Sequence, residues 1–197
     1  MITPQPKFTY LIGLGNKDPK FSFTRHNIGY LFLDYLHSSL NFPSWQFKKS
    51  WNSFIATLNH LTIIKPQTYM NLSGLTVKKI YTSLLPSQQN QILIIHDDLD
   101  IPFGKWKTSF SKGPKQHNGI LSIEHQLGTK KFWRLRIGVD NRTTYPTLTS
   151  GADYVLSRFT PDEINQLTHS IFPNIFNDLK LHFPTKTQSQ FLTLNPT

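Results

Sequence analysis

His26 is the residue in this chain whose type and setting point first to chemistry. It stands in Thr24-Arg25-His26-Asn27, after an apolar run (Tyr10-Leu11-Ile12) and a glycine turn (Gly13-Leu14-Gly15-Asn16). Beyond it Ile28, Phe32, Leu36 and Leu40 recur four apart, the spacing of one helix face. His26 is therefore expected where a βα loop enters a helix. In open α/β sheets ligands bind at that edge, and an imidazole there exchanges a proton near neutral pH.

Three more polar segments end apolar elements: Tyr69-Met70-Asn71, His96-Asp97-Asp98 and His117-Asn118. Each has an ordinary structural use. Asn16 can satisfy a turn, Asn71 and Ser73 can cap a helix, Asp97 and Asp98 can close a buried strand, and His117 and Asn118 can start a helix. Converging on one cleft, they make a set: His26 as base, Asp97 to orient it and stabilise its charged form, and the amides of Asn16, Asn71 and Asn118 to hold a substrate. That set suffices for general-base hydrolysis by water.

Competing motifs are incomplete. Gly13-Leu14-Gly15 starts like a dinucleotide fingerprint, but Asp18 stands where the third glycine is required. There is no G-x-S-x-G elbow and no P-loop. His96, Asp97, Asp98 and Asp100 form the only reading that favours a divalent ion, as in metal nucleases.

The elements that must position these residues alternate. Tyr10 to Gly13 reads as a strand and Asn27 to about Leu40 as a helix. Phe42 to Lys49 reads as a loop. Ser53 to Leu58 and Leu61 to Lys65 form a hairpin turning at Asn59-His60, ended by Pro66. Ser73-Gly74 opens a helix with Val77, Ile80, Tyr81 and Leu84 on one face. Gln91 to Ile95 is a buried central strand, and after a turn at Pro102 to Gly104 comes a strand at Lys105 to Phe110. Ser111 to Gln116 is a basic loop, and Asn118 to Leu127 is a helix stopped by Gly128. Phe132 to Val139 alternates, with Arg134 and Arg136 on a polar face. Thr160-Pro161-Asp162-Glu163 starts a helix that Pro173 should kink or break. Strands alternating with helices predict a single α/β domain over residues 1–197, with a twisted mixed sheet flanked by helices. Its core covers about 8–183 and a polar tail about 184–197.

Composition narrows the class. The 197 residues suit one domain with a sizeable core. Lys and Arg total 21 against 11 acidic residues, a net charge of +10 that favours a polyanionic partner such as nucleic acid. With no cysteine, disulfides and thiol chemistry are excluded. Met1 to Lys7 lacks the apolar core of a signal peptide, and no apolar run is long enough to span a bilayer. A cytoplasmic protein without membrane attachment is expected.

Six segments carry a resemblance. They are Gly13-Leu14-Gly15-Asn16, Thr24 to Gly29, Lys65 to Gly74, His96 to Pro102, His117-Asn118-Gly119 and Phe132 to Gly138. In order and approximate spacing they resemble bacterial-type peptidyl-tRNA hydrolase, over about residues 8 to 180. The resemblance implies a monomeric, cytoplasmic esterase without metal or cofactor. Its reaction cuts the ester between a peptide or N-blocked aminoacyl group and the 3′ ribose of tRNA, recycling tRNA from peptidyl-tRNAs dropped off the ribosome. It implies His26 as general base, Asp97 as its support, and Asn16 as a residue that tells blocked from unblocked aminoacyl-tRNA. Phe21, Tyr69, Asn71 and Asn118 would line the site for peptide and tRNA 3′ end, with Met70, His117 and Arg136 supporting. Lys105, Lys107, Lys112, Lys115, Lys130, Lys131, Arg134 and Arg136 are candidates to meet tRNA phosphates.

The chain departs from the family pattern in places. Asn16-Lys17-Asp18 replaces Asn-Pro-Gly, Phe21 replaces a tyrosine, and Ser111 to Gln116 replaces a glycine-rich run. Val139-Asp140-Asn141-Arg142 replaces the usual glycine and proline. Two other readings stand beside the hydrolase: a non-catalytic RNA-binding protein on the same scaffold, and a metal-dependent nuclease using Asp97, Asp98 and Asp100.

Overall fold

The computed structural model describes residues 6–143 and 150–184, so the predicted polar tail lies almost wholly outside the described residues. Seven strands join in one sheet: β1 (Tyr10–Gly13), β2 (Gln46–Lys48), β3 (Ser53–Leu58), β4 (Leu61–Pro66), β5 (Ile92–Pro102), β6 (Trp106–Phe110) and β7 (Trp133–Asp140). Their spatial order is β2-β3-β4-β1-β5-β7-β6. The central four, β4-β1-β5-β7, run parallel. The hairpin β3-β4, the edge strand β2 and the opposite edge β6 are antiparallel. The sheet is mixed, as the hairpin predicted.

The helices are α1 (Ile28–Ser39), α2 (Ser73–Ser83), α3 (Pro86–Gln89), α4 (Asn118–Leu127), α5 (Gly151–Leu156), α6 (Pro161–Gln166) and α7 (Phe172–Leu179). Strand alternation sends Leu93 and Ile95 into one apolar layer with Phe32, Leu36, Leu167, Phe172 and Ile175. It sends Ile92 and Ile94 into a second layer with Val77, Ile80, Ile120 and Ile123. Thus α1 and α7 cover one face, and α2 and α4 the other. Among the described residues no helix is long and apolar enough to cross a membrane.

Four expectations need correction. Gln46–Lys48 is a strand, not part of a loop; Phe47 pairs with Phe54 and their rings meet edge to face at 5.5 Å. The central strand does not stop at Ile95. It continues through His96, Asp97 and Asp98, still paired to β7, because each of these polar side chains finds a partner. Arg134 is buried rather than displayed on a polar face; it donates to Glu124 at 2.8 Å and to the Gly113 carbonyl. Pro173 does not break its helix. The helix widens into one π turn at Leu167–Ile171, just before the proline whose nitrogen cannot donate to the preceding turn, and then continues. The caps follow the sequence: Thr160 and Glu163 form a reciprocal capping box, and Gly128 closes α4 at φ +66°.

Two glycines set the distance between α1 and the sheet. A Cβ on Gly29 would stand 2.5 Å from the Ile95 carbonyl oxygen and 2.7 Å from the Leu14 nitrogen. A Cβ on Gly13 would stand 2.5 Å from the Gly29 carbonyl oxygen. Backbone therefore lies directly on backbone where α1 begins, and the residues just before α1 are held against the end of β1 and the middle of β5. Gly29→Ala should cost about 1–3 kcal/mol in urea unfolding, the usual penalty of overpacking a dense contact, and should lower turnover because the segment carrying His26 must shift.

Candidate active site

His26 lies in a single 3-10 turn, Arg25–Asn27, between the loop after β1 and the start of α1. Asp97 follows Leu93 and Ile95 in strand parity, so its carboxylate faces α1. His26 Nδ1 and Asp97 Oδ1 are 2.8 Å apart. The same oxygen receives a second bond, 2.9 Å, from His117 Nε2. His117 is the N-cap of α4, and its Nδ1 accepts the backbone N–H groups of Gly119 (3.1 Å) and Ile120 (3.2 Å). An Nδ1 that accepts carries no proton, so His117 donates through Nε2. Asp97 is acceptor-only when ionised, so His26 donates through Nδ1, which leaves Nε2 as a lone pair. Among the described residues His26 Nε2 makes no hydrogen bond.

Electrostatics follow from these bonds. Burial would raise the Asp97 pKa, but the two histidines on its oxygen hold it well below the usual carboxylate range. Burial would lower the His26 pKa, but the charge and hydrogen bond of Asp97 outweigh it and lift the imidazole above 6.5. His96, completely buried on the α4 side of β5, is driven well below 6.5 by desolvation first and His117 second, so it stays neutral. Its ring meets that of His117 edge-on at 4.8 Å.

A cleft of about 380 Å³ opens over this group, lined by His26, Asp97, Gln116, His117, Asn118 and residues of α5. Asn118 is exposed at its wall. Asn16 is buried and does not line it: its Oδ1 accepts the Met70 N–H at 2.8 Å, and its backbone exchanges two bonds with the Asn27 side chain (2.8 and 3.0 Å). Met70 is buried beneath the start of α4, where a Cβ on Gly119 would meet its sulfur at 2.5 Å. Phe21, Tyr69 and Asn71 do not line this cleft; Tyr69 and Asn71 stand exposed at the end of β4 beside Asn16. Arg136 is turned away as well, with its Nε donating to Asp98 at 2.7 Å.

Sequence reasoning gave His117 a supporting place, whereas the structure puts it on the same carboxylate oxygen as His26. It gave no task to Arg25. This buried guanidinium donates to both oxygens of Glu163 at 2.9 Å and to the Arg158 carbonyl at 3.2 Å, and lies 4.6 Å from the Tyr154 ring centre. The Arg25–Glu163 pair ties the His26 turn to α6. Deleting one partner of such a buried pair typically costs about 3–5 kcal/mol, because the other charge is left uncompensated. The partners are 138 positions apart, and Glu163 had been read only as a cap.

The donor atoms of His26, Asp97 and His117 lie within 4.8 Å of one another. A metal on His117 Nε2 would need the proton moved to Nδ1, against two N–H donors, so the cap of α4 opposes that use. The carboxylates of the nuclease reading are dispersed. Asp98 is bound to Arg136 and to the Asp100 N–H, and Asp100 accepts the Lys115 N–H at 3.1 Å.

The fold and cleft define a class: an α/β protein with a mixed sheet and a buried His26–Asp97–His117 group beneath a cleft. The family model described as Peptidyl-tRNA hydrolase matches residues 10–196. The peptidyl-tRNA hydrolase of Chloroflexus aggregans is 40% identical over 155 residues, covering 78% of this chain and 81% of that protein. That of Helicobacter acinonychis is 37% identical over 175 residues, covering 87% and 86%. The crystal structure of peptidyl-tRNA hydrolase from Acinetobacter baumannii shares the fold, with a TM-score of 0.75 over 98% of this chain and 94% of that one, at 24% identity. The chain belongs to the peptidyl-tRNA hydrolase family.

A base must be neutral to accept a proton, so turnover should rise with pH through a pKa above 6.5 and then level off. In Asp97→Asn the lifting charge is gone and burial dominates. The acid limb of kcat/KM should move to lower pH, and the plateau should fall on the order of 10²-fold or more. A pH–rate profile of both proteins checks the shift and the drop together.

Proposed function

We propose that this chain hydrolyses the ester joining a peptide or N-blocked aminoacyl group to the 3′ ribose of tRNA, with His26 as the general base. The observation that carries this reading is His26 itself: Nδ1 fixed on Asp97 at 2.8 Å, Nε2 without a protein partner, and a cleft above it. Water on Nε2 loses a proton as its oxygen attacks the ester carbonyl. Asp97 stabilises the imidazolium that forms, and His26 returns the proton to the ribose oxygen as the tetrahedral intermediate collapses. His117, by donating to Asp97, keeps that carboxylate ionised and in place.

An ester to a ribose hydroxyl breaks more easily than an amide, so a positioned base with oriented amides is adequate without a covalent nucleophile. One such base supplies about 10²–10⁴-fold, and orientation supplies more. Asn118 at the cleft wall, and Asn16 and Asn71 beside it, are the amides we assign to holding the acyl group and the ribose end. Tyr69 and Phe21 offer rings for the terminal adenine or the peptide. Met70 supports α4, and Arg136 holds Asp98.

The tRNA body is held through its phosphates. Lys105 just before β6, Lys107 on it, Lys112 and Lys115 in the next loop, and Lys130 and Lys131 after α4 are exposed and suit this contact. Arg134 and Arg136 drop out of that group, because their guanidinium groups are engaged by Glu124 and Asp98. We take the enzyme to act as a monomer in the cytoplasm, as the family resemblance implies.

The test is release of free tRNA from N-acetylated aminoacyl-tRNA. We expect cleavage that resists a chelator, spares unblocked aminoacyl-tRNA and falls about 10²–10⁴-fold in His26→Ala. A folded wild type that binds tRNA without cleaving it would instead support the RNA-binding reading, and loss of cleavage with the chelator would support the metal reading.

A further inference from the structure

Lys17 is a charged residue beside Asn16 that the reaction above does not use. Its backbone is fixed: its N–H donates to the Thr68 carbonyl at 3.2 Å, and the side chain of the preceding Asn16 holds the Met70 N–H. Its ammonium stands 5.5 Å from the centre of the exposed Tyr69 ring. The neighbouring carboxylate, Asp18, is turned to Lys20: it accepts the Lys20 N–H at 3.1 Å and lies 3.7 Å from the Lys20 ammonium. Among the described residues no carboxylate pairs with Lys17. A lysine anchored at its backbone, resting on an aromatic face and left without a counter-ion, is a prepared anion contact.

Its place in the sheet says which anion. Lys17 follows β1 and Tyr69 follows β4, both on one side of β5 and its Asp97. The exposed lysines of β6 and the loop after it lie on the other side, beyond β7. Placing the scissile ester at His26 and the tRNA body on the β6 side leaves the β1 and β4 side, where Lys17 stands, to the acyl group. We propose that Lys17, resting on Tyr69, is a specificity residue that binds the side-chain carboxylate of an Asp or Glu in the peptide next to the ester-linked residue. This inference rests on the hydrolase reading.

The experiment compares N-acetyl-Asp-Phe, N-acetyl-Asn-Phe and N-acetyl-Lys-Phe esterified to the same tRNA. For the wild type, kcat/KM should favour Asp over Asn by about twofold to fivefold, the range of an exposed ion pair, with Lys the poorest. Raising the salt concentration should shrink the ratio. In Lys17→Gln the Asp:Asn ratio should fall to about one, and in Lys17→Glu the order of Asp and Lys should invert. An Asp:Asn ratio unchanged by Lys17→Gln would overturn the proposal. Equal losses for all three substrates would also overturn it, placing Lys17 on a tRNA phosphate instead. Failure of the folded wild type to cleave even the Asn substrate would overturn the hydrolase reading and this inference with it.

Discussion

Asp97 keeps a negative charge out of water, and its Oδ1 accepts N–H donors from two histidines. A buried carboxylate without partners would cost several kcal/mol and take up a proton. Here His26 and His117 compensate it from opposite sides, one from the turn before α1 and one from the cap of α4. The carboxylate fixes the tautomer of His26 and so decides which nitrogen faces the cleft. The backbone amides of Gly119 and Ile120 fix the tautomer of His117 in turn. The positive end of a helix is thus linked to His26 through two hydrogen bonds and a carboxylate, with every proton position determined by the group behind it.

The fold delivers these groups by simple geometry. Strand parity sends Asp97 towards α1 and His96 towards α4. The bare backbone contact of Gly13 with Gly29 brings the start of α1 onto the sheet, which a side chain at either position would prevent. Met70 fills the space beneath Gly119, so the asparagine loop after β4 and the start of α4 are packed as one unit.

Much of this was legible in the sequence, because the signals were local. The four-residue spacing after His26, the Asn59-His60 turn, Gly128 and the Thr160–Glu163 box each act within a turn of chain, and each is where it was expected. The strand through His96-Asp97-Asp98 was read short because three polar residues look like an end. Only the distant partners of Asp97 and Asp98, Arg136 among them, make a buried strand of them. Arg134 was read as surface for the same reason, its partner Glu124 being on another element. The site was legible as a set of residue types at strand ends. The sharing of one oxygen by two histidines, and the clamp on Arg25, depend on residues 20 to 138 positions apart, which no local pattern encodes.

That clamp has a bearing on how the protein comes into being. The turn that carries His26 is made first, and the carboxylate that ties it down through Arg25 is made 138 residues later. During synthesis from the N-terminus, β1, α1 and β5 are made before α6, and the two bonds from Arg25 to Glu163 can form only once α6 has followed. The turn that carries His26 is therefore clamped to α6 only after the strand that holds Asp97 has been made.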